Sequence, residues 1–135
     1  MKRVRKRLTS TTFLNLYSKV LKPGGIIHLK TDSPFLYTYT HILAETNGIK
    51  TIADTKDLYA NPEAAGDSEI LNIKTFYEQQ WLERGLTIKY IAFPLPQPLN
   101  LTEPDVEIEE DTYRSFSRGE LQCPELCNPK VTFKK

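Results

Sequence analysis

The sequence predicts an α/β fold, and three observations carry that expectation. Apolar residues recur at helical spacing in three separate stretches. Each stretch is followed by a short apolar or alternating run suited to a strand. Glycine, proline or asparagine punctuates the joins between them. Helix–strand–helix–strand–helix–strand is half of a doubly wound arrangement, so one modest core and a small sheet are expected.

Thr9, Ser10 and Thr11 are N-cap candidates for a first helix running to about Leu21. Its stripe is Phe13, Leu14, Leu16, Tyr17, Val20 and Leu21, and Pro23-Gly24-Gly25 stops it. A strand over 25–31 follows, in which Ile26, Ile27 and Leu29 form the nearly continuous apolar run of a strand covered on both faces. Asp32 stands where that strand ends, and open parallel sheets bind ligands outside the carboxyl ends of their strands. Ser33 and Pro34 supply a cap and an N1 proline for a second helix with Phe35, Leu36, Tyr39, Ile42 and Leu43 as its stripe. Asn47-Gly48 ends it. A weaker strand is expected near 49–55, then a polar loop with Asn61-Pro62 and Gly66. A third helix spans about 70–84, stopped by Gly85, and residues 86–93 alternate as a final strand.

The net charge of +1 hides an asymmetry. Lys2, Arg3, Arg5, Lys6 and Arg7 crowd the start, while Asp105, Glu107, Glu109, Glu110 and Asp111 crowd a stretch near the end. No apolar run is long enough to span a membrane and the basic start lacks the apolar core of a signal peptide, so no membrane partner and a cytoplasmic location are expected. Beyond Phe93 the character changes. Pro94, Pro96, Pro98 and Pro104 favour extended chain and the acidic run has little to bury, so 1–93 reads as the domain and 94–135 as an extended, partly disordered tail. Cys123 and Cys127 are one pair, too few for a tetrahedral zinc site, and no metal is expected.

Three features could carry chemistry. Thr75 and Glu78, within Ile73-Lys74-Thr75-Phe76-Tyr77-Glu78, match a capping box, whose hydroxyl and carboxylate satisfy backbone donors reciprocally. Asp32 is either a turn residue capping the second helix or a group aimed at a ligand. The basic cluster is either a solvated segment or a footprint for a phosphate backbone.

The basic Lys2–Leu8 segment, the run Leu21–Asp32 and the segment Ile73–Glu78 stand in an order and at intervals that resemble the C-terminal half of the bacterial tRNA (guanine-N7)-methyltransferases. The resemblance covers Lys2 to about Phe93 and implies half of a Rossmann-like sheet with flanking helices and an extended tail. It implies S-adenosylmethionine as cofactor and tRNA as partner. It makes Lys2, Asp32, Thr75, Phe76, Tyr77 and Glu78 the substrate-binding residues. The family's glycine-rich cofactor turn and catalytic aspartate would precede Met1, so no catalytic or cofactor-binding residue is expected in the chain. A missing N-terminal half, or a second copy, is expected to cover the open sheet edge.

Guanine N7 carries a lone pair, so the implied reaction needs the base held in line with a methyl donor rather than deprotonated there. Carboxylates suit that holding, because the guanine Watson–Crick edge offers N1–H and N2–H donors. Two rival readings stand beside this one: a small basic RNA-binding α/β module, and an inactive remnant without catalysis.

Overall fold

The computed structural model describes residues 7–22, 24–66, 69, 73–96, 100–111 and 129–133. Three helices are described: α1 (Thr11–Ser18), α2 (Pro34–Thr46) and α3 (Phe76–Glu83). The strands are β1 (Ile26–Thr31), β2 (Ala53–Thr55), β3 (Lys89–Pro94), β4 (Val106–Ile108) and β5 (Val131–Phe133). A 3₁₀ turn covers Pro62–Ala65.

The caps form where the short polar residues put them. Ser10 Oγ accepts from Phe13 N at 3.3 Å, and Ser33 Oγ from Leu36 N at 3.0 Å with Pro34 in the first turn. α1 is shorter than its apolar stripe implies: the chain leaves the helix after Ser18, and Val20 is left exposed. Gly24 lies at φ +81°, a conformation natural to glycine, and the turn there aims the chain into β1. α2 is the most deeply buried helix. Leu36, Tyr39, Leu43 and Ala44 are all within the core, as its apolar stripe requires.

The main sheet has the order β1-β3-β2. β3 is antiparallel to both neighbours, pairing Ile27 with Phe93 and Leu29 with Ile91 on one side and Ala53 with Ala92 on the other. β1 and β2 therefore run parallel to each other with β3 reversed between them. The chain between β2 and β3 comes back to the end of the sheet at which β1 and β2 finish, so β3 runs against both neighbours. After Gly85 (φ +94°) the chain enters β3 at the end where β1 and β2 finish.

That central strand is covered on both faces. Ile91, Phe93 and Leu95 meet Leu14, Leu29, Tyr39 and Leu43 in the larger core under α1 and α2. Tyr90 and Ala92 meet Ala53, Leu58 and Ala65 on the opposite side. β1 departs from the two-sided burial expected of it. Leu29 is buried, whereas Ile26 and His28 are exposed and Lys30 is half-buried, because only one of its faces meets the helices. Its outer edge pairs with no strand among the described residues.

The acidic stretch reaches back onto the body. Glu103 Oε1 accepts from Thr11 N and Thr11 Oγ1, each at 2.9 Å, at the start of α1, and its Oε2 accepts from Tyr39. Asp111 Oδ1 accepts from Phe35 N at 3.0 Å, and its Oδ2 accepts from Ser33 Oγ, at the start of α2. Carboxylates suit these places because the first N–H groups of a helix lack partners and carry partial positive charge. β4 and β5 pair as a separate two-stranded ribbon. Among the described residues no helix is long and apolar enough to cross a membrane.

Candidate functional site

Side chains alternate across a strand, so His28 and Lys30 share one face of β1, and Asp32 continues that alternation just past the strand's end. That face looks away from α1 and α2. Opposite it stands the N-terminal turn of α3, which Thr75 caps: its Oγ1 accepts from Glu78 N at 3.1 Å. Between them lies a cleft of about 300 Å³ lined by His28, Lys30, Thr31, Asp32, Ile73, Thr75, Glu78 and Ile88.

The cleft brings together three of the residues singled out from the sequence: Asp32, Thr75 and Glu78. Phe76 and Tyr77 follow Thr75 in α3 but are not among the lining residues. They are 79% and 69% exposed, their rings meeting edge-on at 5.8 Å between centroids. Lys2 lies outside the described residues, as do Cys123 and Cys127. Of the basic run, Arg7 is described, and its guanidinium stacks on Tyr39 at 4.5 Å and Phe35 at 4.9 Å. It is part of the packing around α2.

Half of the capping box forms. The Thr75 hydroxyl caps the helix, but the Glu78 carboxylate is engaged elsewhere. Its Oε1 accepts from the Tyr59 hydroxyl and lies 3.0 Å from Lys30 Nζ. Glu78 is buried, so it needs such partners: an ionised carboxylate out of water is costly unless paired. Lys30 also donates to Ile73 O at 2.5 Å and lies 5.5 Å from the centre of the Tyr59 ring. On that ring's account Lys74 Nζ, at 4.5 Å, is a second cation neighbour. Burial first, and then the Glu78 carboxylate, push the Tyr59 hydroxyl above its ordinary titration range, so it stays a donor.

One further lining group, His28, and one buried group behind the cleft, Lys89, are also held by polar contacts. His28 Nδ1 is 2.6 Å from the hydroxyl of buried Tyr90. Lys89, fully buried at the start of β3, donates to Thr87 O at 2.8 Å and to Asp32 O at 3.4 Å. Burial lowers its pKa to about 8, against the opposing pull of Asp32, Asp111 and Asp57. Lys30, Tyr59 and Lys89 were not singled out from the sequence. The signal for Lys30 was present, since residues two apart on a strand share a face with Asp32. The signal for Tyr59 was not, because a loop residue's neighbours are set by the tertiary fold. Among the described residues no cluster of acidic, histidine and cysteine side chains is arranged to hold a metal.

A family model described as "Putative methyltransferase" matches residues 1–91. The tRNA (guanine-N(7)-)-methyltransferase of Porphyromonas gingivalis is 61% identical over 120 residues, which are 88% of this chain and 48% of that protein. The protein of that name from Bacteroides thetaiotaomicron is 57% identical over 119 residues, 88% of this chain and 46% of its own length. The one from Christiangramia forsetii is 45% identical over 94 residues, 70% of this chain and 41% of its own length. The chain thus spans about half the length of the curated relatives it matches.

Proposed function

The chain belongs to the methyltransferase family whose model covers residues 1–91, and from that premise we propose that it forms the substrate-side half of a tRNA (guanine-N7-)-methyltransferase. One observation carries the reading: two carboxylates and a hydroxyl, from elements more than forty residues apart, line one small cleft at the end of β1. Asp32 and Glu78 are acceptors for the N1–H and N2–H donors of a guanine edge, with the Thr75 hydroxyl beside them. Phe76 and Tyr77 offer exposed rings at the start of α3 on which a neighbouring base stacks. Lys2 contacts the substrate, and the arm it begins, with Arg3, Arg5 and Lys6, follows the tRNA backbone. The domain is 1–93 and the tail 94–135, acting in the cytoplasm.

S-adenosylmethionine, the methyl donor that the family implies, supplies an electrophilic methyl group when bound. The described residues do not fit it. Gly24, Gly25, Gly48, Gly66 and Gly85 make no Gly-x-Gly turn after a strand, and the cleft's polar lining is two acids, a lysine, a histidine and two threonines rather than a glycine-rich turn. The chain's own part is to orient the base, with N7 held toward the donor, and to exclude other purines. The outer edge of β1 is where an N-terminal half, or a second copy, completes the sheet.

The reading is tested by joining this chain to the N-terminal half of the Porphyromonas gingivalis relative and measuring methyl transfer to a tRNA transcript. Methylation of guanine N7 is expected, and Glu78→Gln is expected to reduce turnover far more than it lowers the melting temperature. Near-normal turnover in a stable Glu78→Gln chimera would overturn the assignment of Glu78.

A further inference from the structure

We infer that Lys30 and Tyr59 are positioning residues that clamp one oxygen of Glu78 and so present the other to the purine. This deepens the reading above and rests on Glu78 being the acceptor for guanine.

The geometry is asymmetric. Both partners hold the same atom, Oε1: the Tyr59 hydroxyl donates to it and Lys30 Nζ stands 3.0 Å away. Oε2 has no partner among the described residues, on a side chain that lines the cleft. A glutamate held only by its own helix samples several rotamers, and fixing one is entropically unfavourable on binding. Here that ordering is already done. The three residues come from different elements, β1, the loop after β2 and α3, so the carboxylate is fixed relative to the sheet as well as to its helix.

Each partner is itself held. Lys30 is anchored by Ile73 O at 2.5 Å. The Tyr59 ring lies under Lys30 at 5.5 Å and under Lys74 at 4.5 Å, and its hydroxyl remains protonated beside the carboxylate. The clamp thus sets a hydroxyl donor and an ammonium group against one oxygen, and it leaves the other, an acceptor-only atom, for the base. Guanine meets that atom with N–H donors. Adenine meets it with the lone pair of N1, and the buried carboxylate is left unmatched, which is where large discrimination arises. Inosine keeps N1–H and loses the exocyclic amine, so it should fall between.

The test uses the full chain and short uridine-flanked RNAs carrying one guanine, inosine or adenine, with affinities read from amide chemical-shift titrations. The wild-type chain should prefer guanine over adenine. Tyr59→Phe and Lys30→Met should each reduce that preference by about tenfold, the discrimination a single buried polar partner supports, and Lys30→Arg should restore most of it. Arg keeps the charge and a donor, whereas a merely structural role for Lys30 would lower stability and leave the preference unmoved, with nothing for Lys30→Arg to rescue. If Tyr59→Phe and Lys30→Met are folded with an unchanged preference while Glu78→Gln abolishes it, the clamp is refuted and the acceptor role stands. If Glu78→Gln also leaves the preference unchanged, or the wild-type chain shows none, the reading of Glu78 fails and the inference with it.

Discussion

Replacing Lys89 by methionine should flatten a rise of stability with pH that the wild-type chain shows between about pH 7.5 and 9.5. The lysine is fully buried, and burial brings its pKa from 10.5 to about 8. The unfolded chain keeps the proton to near the higher value and the folded chain releases it near the lower. Between them the unfolded state binds more protons, so raising the pH favours folding. Below both values the penalty is complete, on the order of 3 kcal/mol for a shift of this size; by pH 9.5 roughly 2 kcal/mol of it should be gone. Tyr37, Tyr39 and Tyr59 act in the opposite sense. Each is held above its ordinary range, so the unfolded chain loses those protons first and stability falls above about pH 10. The measurement therefore stops at 9.5. Urea unfolding followed by the fluorescence of Trp81, the single tryptophan and a buried one, reads the stability directly. Asp32, Asp57 and Asp111 support the charged form and Lys56 opposes it, and all four are present in both proteins. A wild-type curve that is flat over this window, or a Lys89→Met curve that rises as steeply, refutes the reasoning.

Three further outcomes are expected. Asp111→Ala should lower unfolding stability by about 1–2 kcal/mol, because Phe35 N and Ser33 Oγ lose their acceptor at the start of α2, and Asp111→Asn should lose less because it still accepts; urea titration distinguishes the two. Gly85→Ala should cost roughly 1 kcal/mol, since nothing lies within 4 Å of the added carbon and the whole penalty comes from φ +94°; a loss well above that by calorimetry would mean the turn rearranges. Thr75→Ala should remove about 1 kcal/mol of capping from α3 while leaving the Glu78 contacts in place, a loss that urea titration reads directly and that Thr75→Ser should largely spare.

Much of the helical framework was legible because caps and stops are local. Ser10, Ser33, Pro34, Asn47 and Gly85 stand at the helix boundaries or in the turns that follow them, as their chemistry dictates. The sheet was legible in content and not in direction. Residues 86–93 alternate in either orientation, so nothing local to them sets the direction of β3, and α3, expected from about residue 70, begins at Phe76. Ile26, Ile27 and Leu29 form an apolar run in sequence, yet of the three only Leu29 is buried. The polar set at His28, Lys30 and Asp32 has the period that turns one face to a cleft. Thr75 and Glu78 read locally as a reciprocal cap. The second half of that cap gives way to Lys30 and Tyr59, partners that no local spacing indicates. Lys89 looked like any polar residue of an alternating strand, and its burial follows from the loops that bring three aspartates near it.

The two acids that close the starts of α1 and α2 have a consequence for the order in which the molecule is made. Thr11 and Glu103 are 92 positions apart, and Phe35 and Asp111 are 76 apart. During synthesis both helices emerge with their serine caps in place, long before the carboxylates that complete them have been joined to the chain. The end of β1, with Asp32 beside Ser33, therefore acquires its last fastening only when residue 111 has cleared the ribosome. A nascent chain halted before that point holds the helices and the sheet residues, yet its cleft has one wall still waiting for its tie.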